Sequence, residues 1–146
     1  MLRKLRFLVL FIILSSTAEF AGAQCFSYAK HVCKGSLKGY LHDGNYNATI
    51  LSEGESAEIY KTFFSGQGYR IAVCKVDSLP DVYFKIIDEE NSVLFDSKRN
   101  GNPSYWDFEI KTTQQLIVHV EVAEKDPDSK TKVSGCVSIL FGIKRE

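Results

Sequence analysis

The sequence predicts a mainly β protein: an antiparallel β-sandwich of jelly-roll type, with about eight strands, preceded by an N-terminal α-helix. Three observations carry this. Apolar and polar residues alternate with period two in at least four segments after Asn47. Clusters of Gly, Pro, Asn, Asp and Ser punctuate the chain at near-regular intervals. No helical period interrupts the strand pattern, so parallel crossover units are not expected.

The elements follow in order. Arg3, Lys4 and Arg6 form a basic start, Phe7 to Leu14 is an apolar run of eight residues, and Ala21-Gly22-Ala23 supplies small residues. This succession is that of an export signal, with cleavage expected before Gln24. The apolar run is too short for a permanent membrane anchor. Residues 24–44 form the predicted helical segment, with the helix itself from Cys25 to about His42. Its apolar stripe holds Cys25, Ala29, Val32, Cys33, Leu37, Tyr40 and Leu41, and Gly44 is its stop. Gly35 and Gly39 weaken its interior.

Residues 45–146 are the predicted sandwich. Its strands are Ala48 to Leu51, Glu58 to Phe64, Tyr69 to Val76, Val82 to Ile87, Val93 to Phe95, Tyr105 to Ile110, Leu116 to Val122 and Cys136 to Ile143. Ser65-Gly66-Gln67-Gly68, Asp77 to Pro80, Asp88 to Asn91 and Lys98 to Pro103 are the turns, and Glu124 to Ser134 is a polar excursion.

Alternation assigns the faces. Leu116, Val118, Val120 and Val122 share one face against Gln115, His119 and Glu121. Trp106, Phe108 and Ile110 oppose Tyr105, Asp107 and Glu109. Ile71 and Val73 oppose Arg70 and Cys74, and Val137, Ile139, Phe141 and Ile143 oppose Cys136 and Ser138. Cys74 and Cys136 thus point away from the core face, yet Ala72, Val76 and Leu140 beside them are apolar, which calls for a cover. The helix is the available cover. Cys25 and Cys33 cannot bond to each other within it, because eight residues rise by about 12 Å. Two arrangements stay open: a helix stapled across the sheet, or a Cys74–Cys136 bridge with a non-helical Cys25–Cys33 loop.

Composition narrows the function. Cleavage before Gln24 removes three of the 18 basic residues and one of the 18 acidic ones, leaving a slightly acidic chain with no basic run. A nucleic-acid partner is not expected. No second apolar run reaches membrane length, so stable insertion of the mature chain is not expected either. Four cysteines, Cys25, Cys33, Cys74 and Cys136, predict two disulfides in an exported protein. A metal site from Cys25, His31, Cys33 and His42 lacks the close cysteine spacing of a zinc site. A lipid anchor on Cys25 would require a small residue where Gln24 stands and an aliphatic one where Gly22 stands.

No catalytic motif emerges. Gly35-Ser36-Leu37-Lys38-Gly39 and Ser65-Gly66-Gln67-Gly68 do not match a nucleophile elbow. His31, His42 and His119 read as surface histidines. The carboxylates Asp81, Asp88, Glu89, Glu90, Asp107 and Glu109 fall in turns or on outward faces. Asp88-Glu89-Glu90 and Glu124 to Asp128 cluster oxygens but lack the glycine and closing glutamate of a calcium loop. Tyr40, Tyr46, Tyr60, Tyr83 and Tyr105 suit a binding surface, though strands are rich in tyrosine anyway. Asn47-Ala48-Thr49 fits the glycosylation rule, a short pattern that recurs by chance.

The stretch from Tyr60 to Ile143 resembles the pre-peptidase C-terminal type of exported bacterial β-sandwich. The resemblance rests on Ser65-Gly66-Gln67-Gly68 leading into Tyr69-Arg70-Ile71, on Asp81 to Ile86 followed by Asp88 and Val93-Leu94-Phe95, on Trp106-Asp107-Phe108, and on Leu116 to Val122. It covers about two thirds of the mature chain. It implies an accessory module rather than a catalytic one. The chain is expected to depart from that pattern in two ways: a cysteine-bearing helix precedes the sandwich, and no attached enzyme domain is expected. The expectation is a non-catalytic binding or structural module, secreted or periplasmic, with an envelope protein or glycan as partner and no cofactor or metal. The alternative is a small hydrolase or metal-dependent enzyme with an unfamiliar site.

Overall fold

A computed structural model describes residues 20–145, with side chains from Gly22 onward. The basic start and apolar run of the expected export signal lie outside the described residues. Helix α1 (Phe20–His31) comes first, then a 3-10 turn (Cys33–Leu37). Nine strands follow: β1 (Tyr40–His42), β2 (Asn47–Ser52), β3 (Ser56–Phe63), β4 (Gly68–Lys75), β5 (Val82–Ile87), β6 (Val93–Asp96), β7 (Tyr105–Glu109), β8 (Gln114–Val122) and β9 (Ser134–Lys144).

The strands form two antiparallel sheets. One runs β2-β9-β4-β7, with β1 beside β2 on the same edge of β9; the other runs β3-β8-β5-β6. The pairs β2·β9, β3·β8, β4·β7 and β5·β6 nest inside one another along the chain. A long antiparallel ribbon rolled into two layers has this pairing, and that is the jelly roll the sequence predicts.

Alternation governs the core. Leu116, Val118, Val120 and Val122 of β8 are buried and meet Phe63, Phe84, Ile86, Ile71, Ile139 and Phe141 from both sheets. Ile59 on β3 and Trp106 and Phe108 on β7 close its flanks. Phe63 sits edge-on to Tyr69, Phe108 and Phe141 at 4.9, 5.2 and 5.9 Å between ring centroids. Such edge-to-face pairs add to the burial that drives this core together.

The N-terminal segment departs from the predicted helix of residues 25–42. The described span of helix α1 is Phe20–His31, so the expected cut after Ala23 falls within it, and it ends at His31. The chain then tightens to a 3-10 turn. Gly39 takes a positive φ of 90°, and Tyr40–His42 pairs with β9 as a ninth strand. The left-handed residue at Gly39 breaks the helical path, and the free edge of β9 supplies backbone partners that a continued helix could not reach. The buried stripe is accordingly narrower than predicted. Cys25, Ala29, Cys33 and Leu37, spaced by four, are buried, whereas Val32 and Leu41 are more than half exposed.

This stripe covers the outer face of the β9–β4 sheet. Cys33, Leu37, Ala72 and Leu140 form a second apolar cluster there, flanked by Tyr28, Tyr40, Tyr46 and Cys74. Disulfides join Cys25 to Cys136 and Cys33 to Cys74, with Cα atoms 5.3 and 5.7 Å apart. The segment is therefore stapled across the sheet, rather than closed on itself through Cys25–Cys33. Tyr28 secures it further through its hydroxyl, which donates to the Lys75 carbonyl at 2.5 Å.

Candidate binding surface

At one end of the roll, the β3–β4 turn presents an aromatic side chain on a rigid base. Phe63 closes β3 and Phe64 is the next residue, so continuing the alternation sends their side chains in opposite directions. Phe63 is fully buried, and Phe64 is 62 % exposed. Gly66 supplies the positive φ of 79° that reverses the chain.

The turn is held from three sides. The buried Tyr69 hydroxyl accepts from the Phe64 amide at 3.0 Å and lies 2.9 Å from Gln67 Oε1. The Ser65 amide donates to Thr113 Oγ1 at 3.0 Å, in the neighbouring β7–β8 turn. The Gly66 amide donates to the Ile110 carbonyl at 3.0 Å. The two turns thus lock together, while Phe64, Ser65 and Gln67 stay open to solvent.

Beside this turn, on the outer face of the covered sheet, Arg70 lies between two tyrosine rings. Its guanidinium is 4.4 Å from the Tyr40 ring centre and 3.9 Å from that of Tyr105. It donates twice to Asp107, at 2.6 and 2.7 Å, and once to the Ser36 carbonyl at 3.1 Å. The donation from Arg70 holds the Asp107 carboxyl below its ordinary value, and the same bond raises Arg70. Burial, then the nearby Asp107 charge, raises the Tyr40 hydroxyl. A bidentate, stacked arginine of this kind fastens the 3-10 turn to the sheet.

The remaining sequence candidates are dispersed. His31 is exposed on α1. His42 is held by the Gly44 amide at Nδ1 (3.3 Å) and by the Asn45 carbonyl at Nε2 (3.2 Å). His119 pairs with Glu58 at 3.0 Å on the outer face of the β8 sheet. Asp88 Oδ1 accepts from the Glu90 and Ser92 amides, and Asp126 Oδ1 from the Asp128 amide, so both carboxylates shape turns. Glu124 pairs with Lys132, and Glu109 with Lys144. Asp81 and Glu89 are exposed. Tyr60 donates to Glu58, Tyr83 lies under Lys98, and Tyr46 packs edge-on against Phe26. Asn47 donates to the Ile139 carbonyl through its side chain. Among the described residues, no three His, Cys, Asp or Glu side chains gather where they could hold a metal ion.

Phe64 was not among the candidates drawn from the sequence, which placed it as the last residue of a strand. Its signal is the Phe63-Phe64 pair: only one of two adjacent strand residues can face the core.

No protein-family model matches the chain, and no curated protein matches it. Among solved structures, it is similar to Aeromonas hydrophila PliG, described as a periplasmic lysozyme inhibitor of g-type lysozyme. The TM-score is 0.52 at 9 % sequence identity, over 73 % of this chain and 90 % of that one. The two chains share a fold. At this identity the likeness concerns the path of the strands and does not carry residues across.

Proposed function

We propose that this chain is an exported, non-catalytic binding module that engages a protein partner through the Phe64 turn, in the manner of an enzyme inhibitor. The observation that carries the reading is a 62 % exposed phenylalanine on a turn whose backbone is already locked. An exposed aromatic anchor contributes most when it needs no ordering on contact, because the entropy of fixing the loop has been met in folding. Two disulfides in a small domain support an oxidising compartment. Among the described residues no helix is long and apolar enough to cross a membrane. Asp88 and Asp126 shape turns, and His119, Glu109 and Glu124 are held in ion pairs, which supports binding over catalysis. The shared fold with PliG makes a lysozyme the first partner to test.

The test is a titration of the purified exported protein against a g-type lysozyme, following both complex formation and cell-wall lysis. Capture from envelope extract runs in parallel, with the wild type and Phe64→Ala as baits. The expected result is a partner retained by the wild type and weakened by about 30-fold or more in Phe64→Ala, the scale of an interface hot spot. Equal retention by both baits would sink the assignment of the site. Retention of another partner, with no effect on lysozyme, would keep the module and discard the lysozyme.

A further inference from the structure

The stapled segment carries charge that the rest of the molecule does not neutralise. From Phe20 to His42 there is no Asp or Glu, while Lys30, Lys34 and Lys38 are basic. All remaining acidic residues except Glu19 lie from Asp43 onward. A basic cover therefore lies on an acidic sandwich.

Where that cover meets the end of β9 there is a groove of about 720 Å³. Lys34, Lys38 and Arg145 line it, with Tyr40, His42 and Tyr46, and none of its lining residues is acidic. Five cations elsewhere are paired: Lys61 with Asp43, Arg70 with Asp107, Arg99 with Asp96, Lys132 with Glu124 and Lys144 with Glu109. Among the described residues no ion pair engages Lys34, Lys38 or Arg145. Three cations at one concavity without a counter-charge repel one another, and an anion brought there relieves that repulsion.

The aromatic wall is fixed. Tyr40 is stacked on Arg70, and the His42 ring nitrogens are both engaged by the Gly44–Asn45 backbone. Tyr46 packs against His42 at 4.4 Å between ring centroids and against Phe26 at 5.3 Å. Rings held in place beside exposed lysines offer flat apolar surface and positive charge together. The volume lies within the usual range for a bound small molecule, about 300–1,000 Å³.

We infer that this groove binds an acidic oligosaccharide. Sugar rings would lie on Tyr46, which the buried His42 ring backs, and their carboxylates would be held by Lys34, Lys38 and Arg145. Sugar faces present C–H groups to aromatic rings, and lysine and arginine meet carboxylates with charge-assisted bonds. An acidic peptide would satisfy the cations but leave the aromatic wall without a flat partner. The site is distinct from the Phe64 turn and does not rest on the proposed protein partner.

The probes are trigalacturonic acid, the neutral trisaccharide maltotriose and a short poly-glutamate, each titrated into the isotopically labelled full mature protein by NMR. The expected result is saturable binding of trigalacturonic acid, with shifts at Tyr46 and His42 and weakening as salt rises. Lys38→Gln and Arg145→Gln should each weaken it by about tenfold, the effect of one lost charged contact. Both side chains are exposed, so an unchanged melting temperature shows that the fold is retained. Maltotriose should bind at least about tenfold more weakly by the same reasoning. Absence of binding by trigalacturonic acid, or shifts that avoid the groove, would overturn the inference. Poly-glutamate binding as tightly as the saccharide would overturn the assignment to a glycan.

Discussion

Replacing Cys25 and Cys136 by alanine opens the outer of two nested disulfide loops. The inner bridge, Cys33–Cys74, closes 41 residues, which the chain-entropy relation values at about 3.9 kcal/mol at 25 °C. The outer bridge spans 111 residues. With the inner loop closed, the path between Cys25 and Cys136 runs through the inner bond and shortens to about 70 residues, so the outer bridge contributes about 4.4 kcal/mol rather than 4.8. Removing the inner bridge alone should cost about 3.5 kcal/mol on the same account, and removing both about 8. A domain of this kind has about 5–15 kcal/mol in total, so the fully reduced protein should be at or near unfolding. Urea unfolding of the two double variants measures the difference. The m-value should rise in each, because an uncrosslinked unfolded chain exposes more surface. A loss below about 1 kcal/mol for the outer bridge, or a clearly larger loss for the inner one, would refute the reasoning. Hydrogen exchange on the outer variant should show α1 opening first, since the part of the helix left after the expected cut, residues 24–31, is too short to be stable in isolation.

Four further outcomes are expected. A Cβ at Gly142 would lie 2.7 Å from Tyr40 Cβ and 3.2 Å from Leu37 Cδ2, so Gly142→Ala should destabilise the fold by about 1–3 kcal/mol in thermal unfolding. Leu116→Ala, at a fully buried position between the sheets, should cost about 2–5 kcal/mol by denaturant titration, and a loss under 1 would contradict its place in the core. Asp107 titrates below its ordinary 3.8 when folded, so its contribution is present above that pH and is lost as pH falls through the lowered value. Because the side chain is 38 % exposed, the difference between wild type and Asp107→Asn should be only about 0.5–1 kcal/mol above pH 5 and should vanish in strong acid. Mass spectrometry of the exported protein should find Gln24 as the first residue; a lipid on Cys25 or a retained Met1 would contradict the expected cut.

Most of the strand plan was legible because period two is a local property. The predicted strand from Leu116 to Val122 lies within β8, and Val82 to Ile87 coincides with β5. Both alternate between core and solvent without interruption. Beyond His31 the structure departs from the predicted helix, because Tyr40 and Leu41 fit a helical stripe as well as a short strand. Only the open edge of β9 separates the two readings. The site followed the same division. The Ser65-Gly66-Gln67-Gly68 turn was visible from composition, whereas Phe64 as its exposed tip depends on which of two adjacent phenylalanines the core accepts.

By itself, the sequence determined what is local or compositional: an even cysteine count, the alternating faces, the turn residues, and outward cysteines in an apolar setting that called for a cover. The tertiary structure decided what depends on distant residues meeting. It selected Cys25–Cys136 and Cys33–Cys74 among the possible pairings, nested the four strand pairs into a jelly roll, and brought Lys34 and Lys38 to Arg145 across more than a hundred residues of chain. Periodicity states which face of an element is buried, but not which partner buries it. That choice belongs to the packing of the whole chain.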